Sequence, residues 1–135
     1  MSVAILIVSH HNIGKAIVEA VEISFAHNLP LRLATIDVGA NDDPDVIKPR
    51  VRQMVEKLDD GSGVLILSDL FGSTPCNICS ECLANPNVRI LTGLNLPMLL
   101  RTMNYPQQNL VELTETARIG GQNGIRECSA ENKES

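Results

Sequence analysis

The chain has 135 residues, of which 44% are hydrophobic, and a formal net charge of −5, a composition typical of one globular domain. The acidic balance argues against a nucleic-acid partner, which needs a basic face, and the near absence of aromatic residues argues against a platform for base stacking. No apolar run reaches the ~18 residues of a membrane span and the N-terminus lacks a basic signal region, so we expect a cytoplasmic protein without direct membrane insertion.

Apolar strands and amphipathic helices alternate along the chain. A proline inside the second helical pattern, Pro49, either starts that helix or kinks it. A short fifth strand is predicted at the C-terminus. The predicted strands are Val3–Val8, Leu31–Asp37, Val64–Leu67, Val88–Thr92 and Ile125–Cys128, and the predicted helices cover residues 13–26, from Pro44 or Pro49 to Leu58, 75–84, Leu96–Thr102, and from Leu110 to a stop at Gly120-Gly121.

This alternation predicts an α/β fold, a single open and mostly parallel sheet with helices on both faces. The first and third strands are the most uniformly apolar and therefore belong in the centre, which gives the strand order 2-1-3-4. We predict one domain over residues 1–128, and a polar, disordered tail over residues 129–135.

The predicted order places two polar residues together. His10 follows the first strand closely and Asp69 follows the third, so both lie at the switch point between the two central strands, where α/β proteins form sites. A carboxylate that holds one imidazole nitrogen leaves the other nitrogen free to act as a nucleophile. His10 and Asp69 are therefore the candidate catalytic pair.

The segment after Asp69 adds a candidate anion site. Gly72 permits a tight turn, Thr74 is a good helix N-cap, and Pro75 suits the first helical turn. With Ser73, these residues would form a phosphate cradle beside His10, which suggests phosphoryl transfer through phosphohistidine. The spacing fits equally well a capped helix beside a histidine that only hydrogen-bonds a loop.

This sequence lacks the motifs that are typical of other classes of α/β protein. A receiver domain needs an acidic pair after the first strand to hold Mg²⁺, but Ser9-His10-His11 stands there. The glycine pattern of dinucleotide-binding folds and the G-x-S-x-G pattern of serine hydrolases are both absent.

Three motifs in order resemble the IIA component of the mannose family of the sugar phosphotransferase system (PTS). They are the pair Ser9-His10 after the first strand, the stretch Asp69–Asn77 with the letters DLFGSTPCN, and Gly93–Met98 with the letters GLNLPM. The resemblance covers residues 1–128. It departs from the family pattern at His11 and Ser73, where glycine is common. His11 is either a second imidazole near the phosphate or, as we expect, a loop histidine that faces solvent, and Ser73 is expected to be tolerated if its φ is negative.

The resemblance implies a phosphotransferase that works as a carrier. His10 would accept a phosphoryl group on Nε2 from the phosphocarrier HPr, Asp69 would accept a hydrogen bond from Nδ1, and the group would pass to a IIB component. It also implies a homodimer that exchanges an antiparallel C-terminal strand, and no cofactor or metal. The alternative is a regulatory protein that signals by its phosphorylation state without sugar transport.

Three cysteines, Cys76, Cys79 and Cys82, follow the second motif at intervals of three residues. Such a run is similar to iron–sulfur ligand patterns. On a helix, however, these positions share roughly one face, where free cysteines act as small buried hydrophobic residues. We therefore predict three core cysteines without a metal.

Overall fold

The structure is a computed structural model that describes residues 1–131. For the first four predicted strands and the five predicted helices, the alternation is confirmed, with shifts at the ends. The strands are β1 (Ala4–His10), β2 (Leu33–Val38), β3 (Val64–Ser68) and β4 (Val88–Thr92), and the helices are α1 (Ile13–Ser24), α2 (Pro44–Leu58), α3 (Thr74–Cys79), α4 (Leu96–Met103) and α5 (Leu110–Asn123), with a 3-10 helix at Ser80–Ala84 between α3 and β4.

The described residues form one parallel sheet in the order β2-β1-β3-β4, as predicted. The apolar residues of β1 and β3 are fully buried because helices cover both faces of the two central strands. The register pairs Val8 with Ser68 and His10 with Val38. The carboxyl ends of β1, β2 and β3 therefore meet at one edge of the sheet.

Successive residues of β1 supply two separate cores, one on each side of the sheet. Ile5 and Ile7 pack toward α1, α4 and α5, in a cluster that includes Leu99 and Leu113. Ala4, Leu6 and Val8 pack toward α2 and α3. These two cores hold the sheet edge and its loops in place.

The second helix begins at Pro44, and the Asp43 side chain caps it by accepting a hydrogen bond from the Asp45 N–H at 2.9 Å. Pro49 lies inside the helix rather than at its start. The helix therefore starts at Pro44, and the alternative that it starts at Pro49 is wrong.

The last helix does not stop at Gly120-Gly121, which corrects the prediction; it continues to Asn123. A Cβ on Gly120 would lie 2.5 Å from Arg101 Cβ, and one on Gly124 would lie 2.4 Å from Pro97 Cβ. These glycines allow α5 to approach α4 closely, so here glycine is a packing residue and not a helix terminator.

The C-terminal segment also differs from the prediction. Within the described chain, Ile125–Cys128 forms no strand, and it is exposed. A strand exchanged with a second copy needs that copy, so the exchange stays a prediction. Of the tail predicted to be disordered, residues 129–131 have no regular secondary structure and residues 132–135 lie outside the described residues.

Over residues 1–131, no helix has the length and apolar character that crossing a membrane requires.

Candidate active site

His10 is the last residue of β1, and the turn that follows it is built by its neighbours. The buried Ser9 hydroxyl accepts a hydrogen bond from the Gly14 N–H at 2.9 Å and so caps α1, whose N-cap residue Asn12 makes no side-chain cap. A Cβ on Gly14 would lie 2.4 Å from Ile7 Cγ2. The glycine therefore lets the first turn of α1 pack closely against β1. His10 remains at the carboxyl edge of the sheet.

His10 and Asp69 form the pair that the sequence predicted. His10 Nδ1 lies 2.8 Å from Asp69 Oδ2, and the His10 backbone N–H donates to the same oxygen at 3.2 Å. The His10 side chain is 39% exposed and that of Asp69 only 10%. The other carboxylate oxygen, Oδ1, is buried without a hydrogen-bond partner among the described residues. The hydrogen bonds of this carboxylate therefore go to His10 alone.

This geometry sets the chemistry available to the ring. An ionised carboxylate only accepts hydrogen bonds, so the proton belongs on Nδ1 of His10 and the lone pair on Nε2. The backbone and side-chain bonds to one oxygen fix the orientation of the ring. When Nε2 attacks an electrophile, the positive charge that develops on the imidazole lies beside the Asp69 carboxylate.

A cavity of about 320 Å³ opens in front of His10. Of the predicted phosphate-binding residues, Thr74 lines this cavity, whereas Gly72 and Ser73 do not. The lining residues come from the ends of β1 and β2 and from the starts of α2 and α3: His10, His11, Val38, Gly39, Ala40, Asp42, Pro44, Thr74 and Pro75.

The N-cap of α3 is Ser73 rather than Thr74, which corrects the prediction. Ser73 is extended, with φ −77°, and its hydroxyl oxygen accepts a hydrogen bond from the Cys76 N–H at 3.4 Å. Thr74 is consequently the first helical residue, and its side chain is free to face the cavity. The negative φ also confirms that serine is tolerated at this position. Gly72 has φ +75°, as the predicted tight turn requires.

Two titratable residues of the cavity, Asp42 and His11, were not among the predicted site residues. Asp42, in the loop before α2, lines the cavity, and its Oδ2 accepts a hydrogen bond from the Gly39 N–H at 2.6 Å. His11 was expected to face solvent; it is exposed and also lines the cavity. The sequence signal that could have placed Asp42 in the site was topological. Strand β2 ends at the same sheet edge as His10, so the loop after β2 begins beside the site.

The cysteines next to the site divide into two groups. Cys79 is buried in the core as predicted, but Cys76 and Cys82 are only half-buried. The single helix predicted over residues 75–84 is in fact α3 followed by a 3-10 helix, so the regular stripe of thiols is broken after Cys79.

Burial raises the pKa of the Cys79 thiol to about 12, and burial followed by the Glu81 charge raises that of Cys82. Both thiols are protonated near neutral pH, which makes them weak nucleophiles and weak ligands. Within residues 1–131, no group of three or more His, Cys, Asp or Glu side chains is arranged to hold a metal. That the protein needs no metal stays a prediction.

With this site in view, the chain was compared with known proteins. A family model described as the PTS system fructose IIA component, EIIA-man, matches residues 4–117. The chain belongs to the EIIA-man family. The resemblance that the sequence motifs indicated is therefore confirmed: this is a mannose-family IIA component of the PTS.

The relatives of this EIIA-man protein agree with that assignment. The PTS system mannose-specific EIIAB component of Escherichia coli K12 is 24% identical over 96% of this chain, which spans 41% of the length of that relative. A mannose/sorbose-specific IIA subunit from Enterococcus faecalis has a TM-score of 0.84 at 22% identity, covering 96% of both chains. A PTS IIA protein associated with a fucose utilization operon in Streptococcus pneumoniae has a TM-score of 0.77 at 25% identity, covering 94% of this chain and 96% of that one.

Proposed function

We propose that this EIIA-man protein carries a phosphoryl group on His10, accepting it from phospho-HPr and passing it to a IIB component. The observation that carries the proposal is the His10–Asp69 pair, 2.8 Å apart, with Nε2 of His10 left free at the rim of an open cavity. The family membership supports the reaction class, and the geometry supports His10 as the nucleophile.

Transfer from HPr exchanges one P–N bond for another. Nε2 of His10 attacks the phosphorus of phosphohistidine on HPr, the P–N bond to HPr breaks, and the HPr imidazole departs with the bonding electron pair. The His10 ring gains positive charge in this step, and the adjacent Asp69 carboxylate stabilises it. In transfer to IIB, a nucleophile of IIB attacks the phosphorus, the P–N bond to His10 breaks, and His10 is the leaving group.

The phosphate cradle proposed over Gly72, Ser73 and Thr74 rests mainly on Thr74, which lines the cavity. The Ser73 hydroxyl donates to the Leu70 carbonyl at 2.6 Å, and the Ser73 N–H donates to the same oxygen at 3.3 Å. We therefore assign Ser73 and Gly72 the role of shaping the loop, and Thr74 that of contacting the phosphoryl oxygens.

The test is incubation with phospho-HPr, followed by addition of a IIB component. We expect an acid-labile, base-stable adduct of one phosphoryl group, which then moves to IIB. If HPr phosphorylates the chain but no IIB component accepts the phosphoryl group, the protein is a regulator that signals by its phosphorylation state and not a carrier. Absence of any adduct contradicts both.

Exposed apolar side chains beside the site favour a protein as the phosphoryl donor. Phe71 is 82% exposed and Leu70 60%, and both follow Asp69 directly in the chain. Large apolar side chains grouped on a surface are typical of protein contacts. We propose that this loop forms part of the surface on which HPr docks.

Phe71→Ser is expected to raise the concentration of phospho-HPr needed for half-maximal transfer by about tenfold, because burial of a large aromatic ring on docking is lost. The maximal rate should change little, since Phe71 contributes nothing to the cavity. Initial rates over a range of phospho-HPr concentrations measure this. Ile23→Ser is the control, because Ile23 is 72% exposed at the far end of α1; equal effects of both changes would contradict a docking role for Phe71.

We also propose the homodimer with an exchanged C-terminal strand. In this chain β4 lies at an edge of the sheet, and Ile125 is 80% exposed beside a groove lined by Leu91 and Thr92 of that strand. An unpaired edge and an exposed apolar residue next to it are both covered if a second copy adds a strand there.

Deletion of residues 124–135 is therefore expected to shift the protein from dimer toward monomer or aggregate, whereas deletion of residues 129–135 should leave the dimer intact. Molar mass by light scattering measures both truncations. A stable dimer after the longer deletion would place the interface elsewhere.

We expect the protein to act in the cytoplasm and without a cofactor.

A further inference from the structure

His11 holds an unusual position next to the proposed nucleophile. It lines the same cavity of about 320 Å³ as His10. Its backbone has φ +47°, in the left-handed region, and its N–H donates to the Val38 carbonyl at 2.9 Å. A residue with a Cβ is strained in this conformation, and such strain is concentrated at functional sites.

The charges around the cavity explain what His11 could contribute. Among the described residues that line it there is no lysine or arginine, so His11 is the one side chain besides His10 that can become positive. A phosphoryl group brings a charge of about −1.5 to −2 into this space. The one carboxylate among these lining residues is that of Asp42, from the loop after β2, while the Asp69 carboxylate is held against His10 behind the lining; α3 contributes only Thr74 and Pro75.

We propose that His11 is a second functional imidazole of this site, which in its protonated form donates a hydrogen bond to the phosphoryl group carried on His10. The proposal rests on the function proposed above. Imidazole is the side chain whose charge changes between about pH 5 and pH 8. Phospho-His10 is therefore stabilised more strongly as the pH falls through this range.

The test compares the equilibrium constant for transfer from phospho-HPr between about pH 6 and pH 8 in the full chain and three variants. His11→Asn removes the titrating charge and retains a residue that tolerates the left-handed region. His11→Lys supplies a charge that persists over this range. His27→Asn is the matched control, because His27 is also an exposed histidine with positive φ, +61°, but it follows α1 at the opposite edge of the sheet.

We expect His11→Asn to lower the equilibrium constant about fivefold at the acidic end, the size of an exposed ionic interaction, and to converge with the unaltered protein at the alkaline end. His11→Lys should keep the high value at both ends. Phospho-HPr is the donor in every measurement. Any pH dependence of the donor therefore cancels when the equilibrium constant of a variant is divided by that of the unaltered protein at the same pH. Intact-mass measurement of the phosphorylated fraction gives the constants, and thermal melts confirm folding.

Each other outcome overturns a different statement. If His11→Asn and His27→Asn both match the unaltered protein while His10 is still phosphorylated, the inference about His11 is wrong and the proposed function stands. A loss in His11→Asn that is independent of pH, and that lysine does not restore, makes His11 a structural residue only. If the unaltered protein accepts no phosphoryl group at any pH, the proposed function is wrong and the inference is wrong with it.

Discussion

Replacing His10 with alanine is expected to abolish the acid-labile adduct formed with phospho-HPr. His10 is the side chain that combines a ring oriented by Asp69, a free Nε2 and an open cavity in front of it. Alanine removes the nucleophile and leaves the buried core untouched, since the His10 ring is 39% exposed. Intact mass after incubation at neutral pH measures the adduct, and acid and base treatment identify it as a phosphoramidate.

The control for this change is His27→Ala, which removes another exposed histidine from the far end of the molecule. That variant should be phosphorylated to the same extent as the unaltered protein. His11→Asn should still carry its phosphoryl group on His10, although less of it at low pH. A phosphoryl group that persists in His10→Ala would show that another residue is the acceptor.

Replacing Asp69 with asparagine is expected to slow transfer by a factor on the order of 10² or more, the range in which loss of a carboxylate partner of a catalytic histidine falls. The amide has nearly the same shape, so the fold should persist. It lacks the negative charge that stabilises the imidazole as Nε2 gains or loses phosphorus. It also offers an N–H₂ group that can reverse the hydrogen bond to Nδ1 and place the ring proton on Nε2.

Single-turnover mixing with phospho-HPr measures this rate, and far-ultraviolet circular dichroism confirms the fold. Asp60→Asn is the control, because Asp60 is also a carboxylate paired with a nitrogen-bearing side chain, Arg32 at 3.2 Å, but it lies before β3 at the opposite edge of the sheet. Asp60→Asn should transfer at the normal rate. An unchanged rate in Asp69→Asn would remove Asp69 from the chemistry.

The sequence predicted that His10 and Asp69 lie together because two local signals combined with one topological rule. Uniform apolarity marked β1 and β3 as central strands, and the carboxyl ends of adjacent parallel strands meet at one edge. His10 and Asp69 were therefore neighbours before any distance was known. The structure adds the 2.8 Å contact and the second hydrogen bond from the His10 backbone, which depends on the loop geometry after each strand.

Predictions that depended on one residue type were less secure. Glycine was taken as a helix end at Gly120-Gly121, but close packing of α5 on α4 overrides that preference, as the contact of Gly120 with Arg101 shows. Threonine was taken as the cap of α3, but Ser73 has the extended backbone that a cap needs. Both cases are decided by backbone placement, which propensities describe only on average.

By itself, the sequence determined the order of strands and helices, the two central strands, the family motifs and the pair His10 and Asp69, because hydrophobic periodicity and motif spacing are local properties of the chain. Only the tertiary structure decided that Asp42 and His11 line the cavity, that Ser73 does not, and that Cys79 alone of its group is buried. These outcomes depend on how the loops after β1, β2 and β3 pack against one another, and such contacts join residues whose separation along the chain gives no signal of their distance in space.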